Sequence, residues 1–278
     1  MKQRARHITI LQILLFTVLA VITLFPLYAI VLASLKPTTE LFRFGLNVRW
    51  DLPRMSFDNY VYLFTGQEGY FRWFTNSLFI TLIQTTLTLF VSCFVGYGFA
   101  MYNFKGKNLI FAGVLIVMMI PLEIILLPLF RLMLGIGLVD TYVGIILPFI
   151  AQALPIFFFR QYISGLPHDF LDAGRVDGCS EYGIFFRIMV PLTTPSFAAM
   201  GILVGMNSWN GFLWPLIVLR TQSKLTLPLG LASMLSPYGN NYAVLIAGSV
   251  FAIIPILTLF FIFQKYFIEG MTAGGVKG

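Results

Sequence analysis

Residues 170–195 read FLDAGRVDGCSEYGIFFRIMVPLTTP, a polar, glycine-punctuated island in a chain that is otherwise almost continuously apolar. Its local chemistry predicts two short helices lying outside a bilayer. Asp169 stands where an N-cap belongs, Asp172 follows three residues later as the acidic half of a capping box, and Gly178 offers a left-handed C-cap. The first helix is therefore expected from about Phe170 to Asp177. Ser180 is expected to cap a second helix, whose apolar Phe185, Ile188 and Met189 fall about one turn apart, and Pro191 to stop it. Ala173 and Gly174 add almost no side-chain bulk to the first helix, so the backbone of another protein can approach it closely. The island reads as a docking surface.

Around the island the composition is that of a membrane protein: 58% hydrophobic residues, 10% charged, and 29 Phe. A spanning helix needs about 20 predominantly apolar residues. Six runs qualify, at roughly 10–34, 73–100, 108–130, 141–160, 193–218 and 242–264. They are long and continuous rather than short and alternating, which selects helices over barrel strands. The expected fold class is all-α: one polytopic integral membrane domain over 1–278, with six transmembrane helices, a loop at 161–192 and a tail at 265–278. The first run follows the basic cluster Lys2, Arg4 and Arg6, is too long for a signal-peptide core and lacks a convincing cleavage site, so it reads as the first span. With the N-terminus inside, six spans put the C-terminus, the island and the tail inside as well. Ten of the 18 Lys and Arg then fall on the inner side. The orientation rests on the N-terminal cluster and the Lys105/Lys107 turn, because charges in short loops near span ends weigh most. The net charge of +7 is spread over both faces instead of forming one stripe, so no nucleic-acid partner is expected. This topology keeps Cys93, in the second span, apart from Cys179, in the island, so neither a disulfide nor a metal site is expected.

Polar residues inside apolar runs mark candidate functional sites. Glu123, in Ile-Pro-Leu-Glu-Ile-Ile-Leu-Leu-Pro, is the one ionisable residue well inside a span, and such a group is costly and a functional candidate. The alternative is that Pro121 and Pro128 break the helix near the outer surface and Glu123 reaches water. Asn207, Ser208, Trp209, Asn210 and Trp214 interrupt the fifth run. Aromatic faces stack sugar rings and amides satisfy hydroxyls, but the same residues also serve as polar glue between helices. Asn207 and Asn210, three apart, share a helical face, and Trp209 is expected to pack elsewhere. The long outer segment 35–72 reads as an ordered loop packed on the span ends, with Trp50, Tyr60, Tyr62 and Tyr70 available for an interfacial belt.

Asp172-Ala173-Gly174, three further residues and Gly178, with Pro191 and Pro195 behind, resembles the EAA loop of the inner-membrane permeases of ABC importers. Asp stands for the family's Glu, Gly for its second Ala, and Cys179 where a small residue is usual. Trp209-Asn-Gly-Phe-Leu-Trp-Pro215 is similar to a motif of carbohydrate permeases, as are Phe25-Pro-Leu-Tyr28 in the first span and the glycine-rich ending Glu269–Gly278. The chain thus resembles the second of two dissimilar permease subunits of the maltose-type carbohydrate importers. The resemblance implies a type I ABC importer permease fold and a heterodimer with a homologous permease. It implies two copies of an ATP-binding subunit, an extracytoplasmic binding protein, and a carbohydrate or related solute carried across a bacterial inner membrane. ATP and Mg would sit on the partner ATPase subunits, with no cofactor on this chain. Asp172, Ala173, Gly174, Asp177, Gly178 and Pro191 would form the ATPase-coupling loop, and Gly270, Thr272, Gly274 and Gly275 the ATPase-contacting tail. Glu123, Asn207, Trp209 and Asn210 remain the candidates for the path.

Two rival classes fit less well. A transporter driven by an ion gradient usually carries midplane carboxylates or histidines, whereas here Glu123 is alone and His7 and His168 lie outside the spans. A membrane-embedded enzyme would want clustered His, Asp or Cys near a bilayer face, and the sequence has no such cluster. It also has no Gly-x-x-x-x-Gly-Lys-Ser/Thr phosphate loop, so ATP hydrolysis would belong to separate polypeptides.

Overall fold

A computed structural model describes residues 2–45, 48–66, 69–235 and 242–273. Every regular element among them is helical. Three helices are long and apolar enough to cross a membrane unbroken: α1 (Lys2–Ser34), α4 (Tyr70–Met101) and the last, α15 (Tyr242–Ala273). The other three expected spans lie in helix pairs joined at a bend, the third of which takes in the second island helix ahead of the expected 193–218. These are α5 (Lys107–Met118) with α6 (Leu122–Gly135) at 103°, α7 (Tyr142–Ile146, extended by a turn to Phe149) with α8 (Ala153–Ser164) at 43°, and Glu181–Leu192 with Thr194–Val218 at 74°.

The breaks have local causes. Pro121 precedes α6 at φ −61°, ψ 139° and has no N–H to continue α5. In membrane protein, backbone groups freed at a break must be satisfied from within. At the second break the Phe149 carbonyl accepts from Thr88 Oγ1 at 2.8 Å and Gln152 Nε2 at 3.1 Å. At the third, Thr193 is fully buried and its hydroxyl donates to the Met189 and Val190 carbonyls at 2.9 and 3.0 Å.

Contacts divide the chain into two compact units: residues through Phe71 with Gly230–Ile254, and Arg72–Leu229 with the residues from Pro255 on. In the first unit, α2 (Thr38–Phe44) and α3 (Asp58–Thr65) order the long connection after α1. Tyr60 and Phe64 of α3 pack on Phe251 of α15, and Asn59 Nδ2 donates to the Ser34 and Lys36 carbonyls at 2.7 and 2.9 Å. The fully buried Lys36 is neutralised by Glu40 at 3.2 Å. The second unit holds the broken helices and the island, and a core of Cys93, Tyr97, Met101, Phe159, Ile163, Leu171, Ile184, Phe185 and Met189 fixes one to the other.

Several expectations are corrected here. The first island helix is α9 (Asp169–Val176), and no side chain caps it: Asp169 is its first residue after His168, so the capping box is not formed. Pro191 does not stop the second island helix. Helix α10 (Glu181–Ile184) passes through a π turn (Phe185–Met189) into α11 (Val190–Leu192) and ends at Thr193. Pro191 has no N–H for the Arg187 carbonyl, and the backbone widens instead, with Val190 N–H bonding to the Phe185 carbonyl. The fifth span is broken again at Asn210–Phe212, between α12 (Thr194–Trp209) and α13 (Leu213–Val218). After the short α14 (Leu227–Ser233), α15 does not give way to a loose tail near residue 264 but runs through Ala273. Gly270 and Thr272 therefore have helical backbone, because one glycine costs a helix only about 1 kcal/mol. Gly274 and Gly275 lie outside the described residues.

Candidate translocation path and coupling face

A cavity of about 600 Å³ in the second unit collects the polar residues of four elements: Gln84 from α4, Glu123 from α6, Gln152 before α8, and Asn207, Ser208 and Asn210 from the end of α12. Phe149, Phe212 and Trp214 supply aromatic lining. Asn207 and Asn210 are thus brought together with Glu123. Trp209 is not part of this lining; it is buried, with its ring edge-on to Phe74 at 5.5 Å. Gln84 is almost fully enclosed, and its Oε1 accepts from Ser208 at 3.2 Å, which ties α4 to the break at Asn210. Trp214 donates from its indole to the Gly144 carbonyl at 3.0 Å and so anchors α13 beside α7. Amides and a hydroxyl offer both donors and acceptors, and Glu123 is the one charged group among the lining residues. Such a wall suits a polyhydroxylated solute. Gln84 and Gln152 were not singled out from the sequence, although a lone amide in an apolar run was the signal that could have found them.

The 219–226 segment nearby is held by a polar clamp. Asp140 Oδ1 accepts from the Arg220 and Thr221 amides at 3.0 and 3.1 Å; Oδ2 accepts from the Thr221 hydroxyl at 2.6 Å and Lys224 Nζ at 3.0 Å. Asn76 Nδ2 donates to the Ser223 and Leu225 carbonyls at 3.0 and 2.9 Å. The bonds to Asp140, led by that from the Thr221 hydroxyl, hold its carboxyl well below the usual carboxylate range. A depressed folded-state pKa contributes stability that is present above the unfolded value, about 3.9, and lost as pH falls through the folded one. Asp140→Ala is therefore expected to lower the melting temperature of the purified protein by a few degrees throughout pH 5–8. The wild type is expected to keep the clamp across that window. Equal melting temperatures for the two would contradict this.

In the island, α9 divides into two faces. Leu171 and Gly174 are buried, whereas Asp172, Ala173, Val176 and Asp177 are exposed. Gly174 is therefore not a point of approach for another protein: a Cβ there would lie 2.9 Å from Ile184 and 3.0 Å from Ile188, so its smallness serves the packing of α9 on the second island helix. The outward surface instead carries Asp172, Ala173, Asp177 and the apolar Val176, which is 87% exposed. Beside it a groove of about 490 Å³ is lined by Asp177, Gly178, Cys179, Ser180, Tyr182, Gly183, Phe186 and Arg187. The turn between the helices is tightly specified. Gly178 has φ +76°; its N–H bonds to the Arg175 carbonyl at 3.1 Å, and the Cys179 N–H bonds to the Gly174 carbonyl at 2.9 Å. That is the paired-bond arrangement of a Schellman C-cap. Ser180 then accepts the Gly183 N–H at 3.1 Å and starts α10. Pro191 lies beyond the π turn, away from this surface in sequence, and is exposed on α11.

Residues 64–273 match the sequence profile of the binding-protein-dependent transport system inner membrane component family, which is most of the chain. The chain belongs to that family. This permease is 59% identical over 265 residues to the arabinooligosaccharides transport system permease protein AraQ of Bacillus subtilis, covering 95% of this chain and 94% of the relative. It is 36% identical over 274 residues to the lactose transport system permease protein LacG of Rhizobium radiobacter, covering 99% and 98%. A solved bacterial ABC transporter involved in importing the acidic polysaccharide alginate contains a chain of the same fold, with a TM-score of 0.81 at 23% identity, covering 94% of the permease and 97% of that chain. The fold is thus that of a type I ABC importer permease, and the chain is a membrane-spanning transport subunit of a binding-protein-dependent system.

Proposed function

We propose that this permease forms one half of the path of an ATP-driven importer for oligosaccharides, arabinose-containing ones foremost. The observation that carries this reading is the 59% identity to AraQ over nearly the full length of both chains. The cavity chemistry supports it, since Gln84, Gln152, Asn207, Ser208 and Asn210 match sugar hydroxyls and Trp214, Phe149 and Phe212 match ring faces. In this reading a homologous permease supplies the other half of the path. An extracytoplasmic binding protein delivers the sugar, and two copies of an ATP-binding subunit hold ATP and Mg, leaving no cofactor on this chain. The N- and C-termini and the island face the cytoplasm, on the strength of Lys2, Arg4, Arg6, Lys105 and Lys107.

Transport proceeds by alternating access. The exposed face of α9, with Asp172, Ala173, Asp177 and the Gly178 turn, docks on the ATP-binding subunits and moves when they close on ATP. The broken helices convert that shift into exposure of the cavity to one side or the other. The tail from Gly270, through Thr272 to Gly274 and Gly275, reaches the seam between the ATP-binding subunits.

Proteoliposomes containing the full complex test this reading. ATP- and binding-protein-dependent uptake of labelled arabinooligosaccharide is expected, and uptake without ATP, or none from a complex that hydrolyses ATP in response to the binding protein, would contradict it. Asn210→Ala is expected to reduce uptake about tenfold with the complex still assembled, as loss of a polar solute contact would. If the residue is interhelical glue, the complex itself will be lost.

A further inference from the structure

The island and the cavity are joined by one continuous element. Among the described spans, α4 alone has neither a break nor an interior proline: α1 and α15 contain Pro26 and Pro255, and the other three are bent. Gln84, in the cavity wall, lies 18 residues before Tyr102, or about 27 Å along a helix rising 1.5 Å per residue. An unbroken helix of that length transmits a displacement at one end to the other.

At the island end, α4 finishes in a linked set of polar groups. The Tyr102 hydroxyl donates to Glu181 Oε2 and lies 3.1 Å from the Tyr97 hydroxyl. Glu181 Oε1 accepts from Arg175 Nε at 2.8 Å, and Arg175 also reaches Asp172 at 3.5 Å. The Tyr102 carbonyl accepts from Lys107 Nζ at 2.8 Å, which adds the start of α5. One carboxylate therefore holds α9 through Arg175 and the end of α4 through Tyr102, while itself standing at the start of the second island helix. Tyr97 is buried in the last turn of α4, with its ring packed on Tyr102 and Phe185 at 5.4 and 5.2 Å.

Stability does not account for this arrangement. The Arg175 and Glu181 side chains are 43% and 48% exposed, and ion pairs in such settings add little to a fold. Apolar packing of Leu171, Ile184 and Phe185 against Tyr97 and Met101 already holds the island in place. That packing is non-directional, however, and tolerates sliding. Hydrogen bonds fix register.

We propose that Tyr102 and Glu181 form the joint through which movement of the island is passed to α4 and along it to the cavity. The proposal rests on the reading of the island as the face that meets the ATP-binding subunits. Tyr102 and Glu181 are positioning residues: neither touches solute or nucleotide, and their removal is felt as slack between hydrolysis and transport.

The test is the ratio of solute transported to ATP hydrolysed in proteoliposomes of the full complex. Tyr102→Phe removes only the hydroxyl. It is expected to assemble normally and keep binding-protein-stimulated hydrolysis within twofold of wild type, while the transport-to-hydrolysis ratio falls at least fivefold. Glu181→Gln is expected to lower the ratio as well, and the double variant to be no worse than the more affected single one, because both break the same link. An unchanged ratio in Tyr102→Phe, a parallel fall in hydrolysis and transport, or additive losses in the double variant would each overturn the joint. Gly178→Val, measured alongside, separates the two layers of the argument. If it uncouples and Tyr102→Phe does not, the joint alone is wrong; if Gly178→Val behaves as wild type, the island reading fails and the joint with it.

Discussion

Gly96→Val is expected to remove folded permease from the membrane. Gly96 lies where α4 crosses α8, and a Cβ added there would stand 2.8 Å from Phe159 Cβ, 2.9 Å from the Arg160 amide nitrogen and 3.2 Å from the Ile156 carbonyl oxygen. Two of those three atoms are backbone and cannot rotate away. Close approach of helix backbones at small residues is a main source of association energy in membranes, where apolar burial gives no advantage over lipid. Overpacking a well-filled site typically costs about 1–3 kcal/mol and more where nothing yields. The extra methyl groups of Val add to a clash that begins with the Cβ, so the cost here belongs at or above the top of that range. The yield of monodisperse protein after detergent extraction is expected to fall at least tenfold, and Gly96→Ala to give an intermediate loss. Gly205→Ala provides the control: its Cβ would meet the Leu259 Cδ1 methyl at 3.4 Å and Thr85 Oγ1 at 3.7 Å, both ordinary contacts. Equal yields for Gly96→Val and wild type would show that α4 and α8 do not meet as described.

Gly178→Val is expected to have the opposite profile, with near-normal extraction and lost coupling. No atom lies within 4 Å of a Cβ built at Gly178, so the substitution creates no packing clash. The strain is conformational: φ is +76°, a region that costs a residue with a Cβ roughly 1–2 kcal/mol and a β-branched one more. The local route of relief is to unwind the turn, which breaks the Gly178 and Cys179 bonds to the end of α9 and reorients the exposed Asp172, Ala173 and Asp177 surface. Binding-protein-stimulated hydrolysis is expected to fall at least tenfold in the reconstituted complex. Asp172→Lys, which reverses an exposed charge without touching the backbone, is expected to fall with it. Wild-type hydrolysis in both would contradict the assignment of this surface.

The sequence made the architecture legible because lipid imposes one dominant pattern: long apolar runs had to be spanning helices, and the six runs correspond to three unbroken helices and three bent pairs. Where a span breaks was less legible. Pro121 sits at the 103° bend, yet Pro26 and Pro255 lie inside helices that continue, because the outcome depends on which neighbours satisfy the freed carbonyls. The island turn was readable from Gly178 and Ser180, whose chemistry is local. The inward placement of Gly174 was not, since Ala173 and Gly174 are equally small and only the rotational phase of α9, set by Leu171 and the facing Ile184 and Ile188, decides which of them is buried. The contribution of Gln84 to the cavity depends on Ser208, 124 residues away, and the bond between Tyr102 and Glu181 spans 79 residues. Contacts at such separation leave no trace in spacing or periodicity.

The island as the face that meets the ATP-binding subunits is the claim on which the coupling account depends, and the native cysteines permit a direct test. Cys93 is fully buried, whereas Cys179 is partly exposed in the groove beside α9. A short thiol-directed photo-crosslinker, attached to the purified permease before the other subunits are added, should therefore mark Cys179 alone. Illumination of the assembled complex is predicted to join the permease to the ATP-binding subunit, with the product absent in Cys179→Ser. A crosslink to the binding protein instead, or none to the ATP-binding subunit in a complex that hydrolyses ATP, would contradict the account.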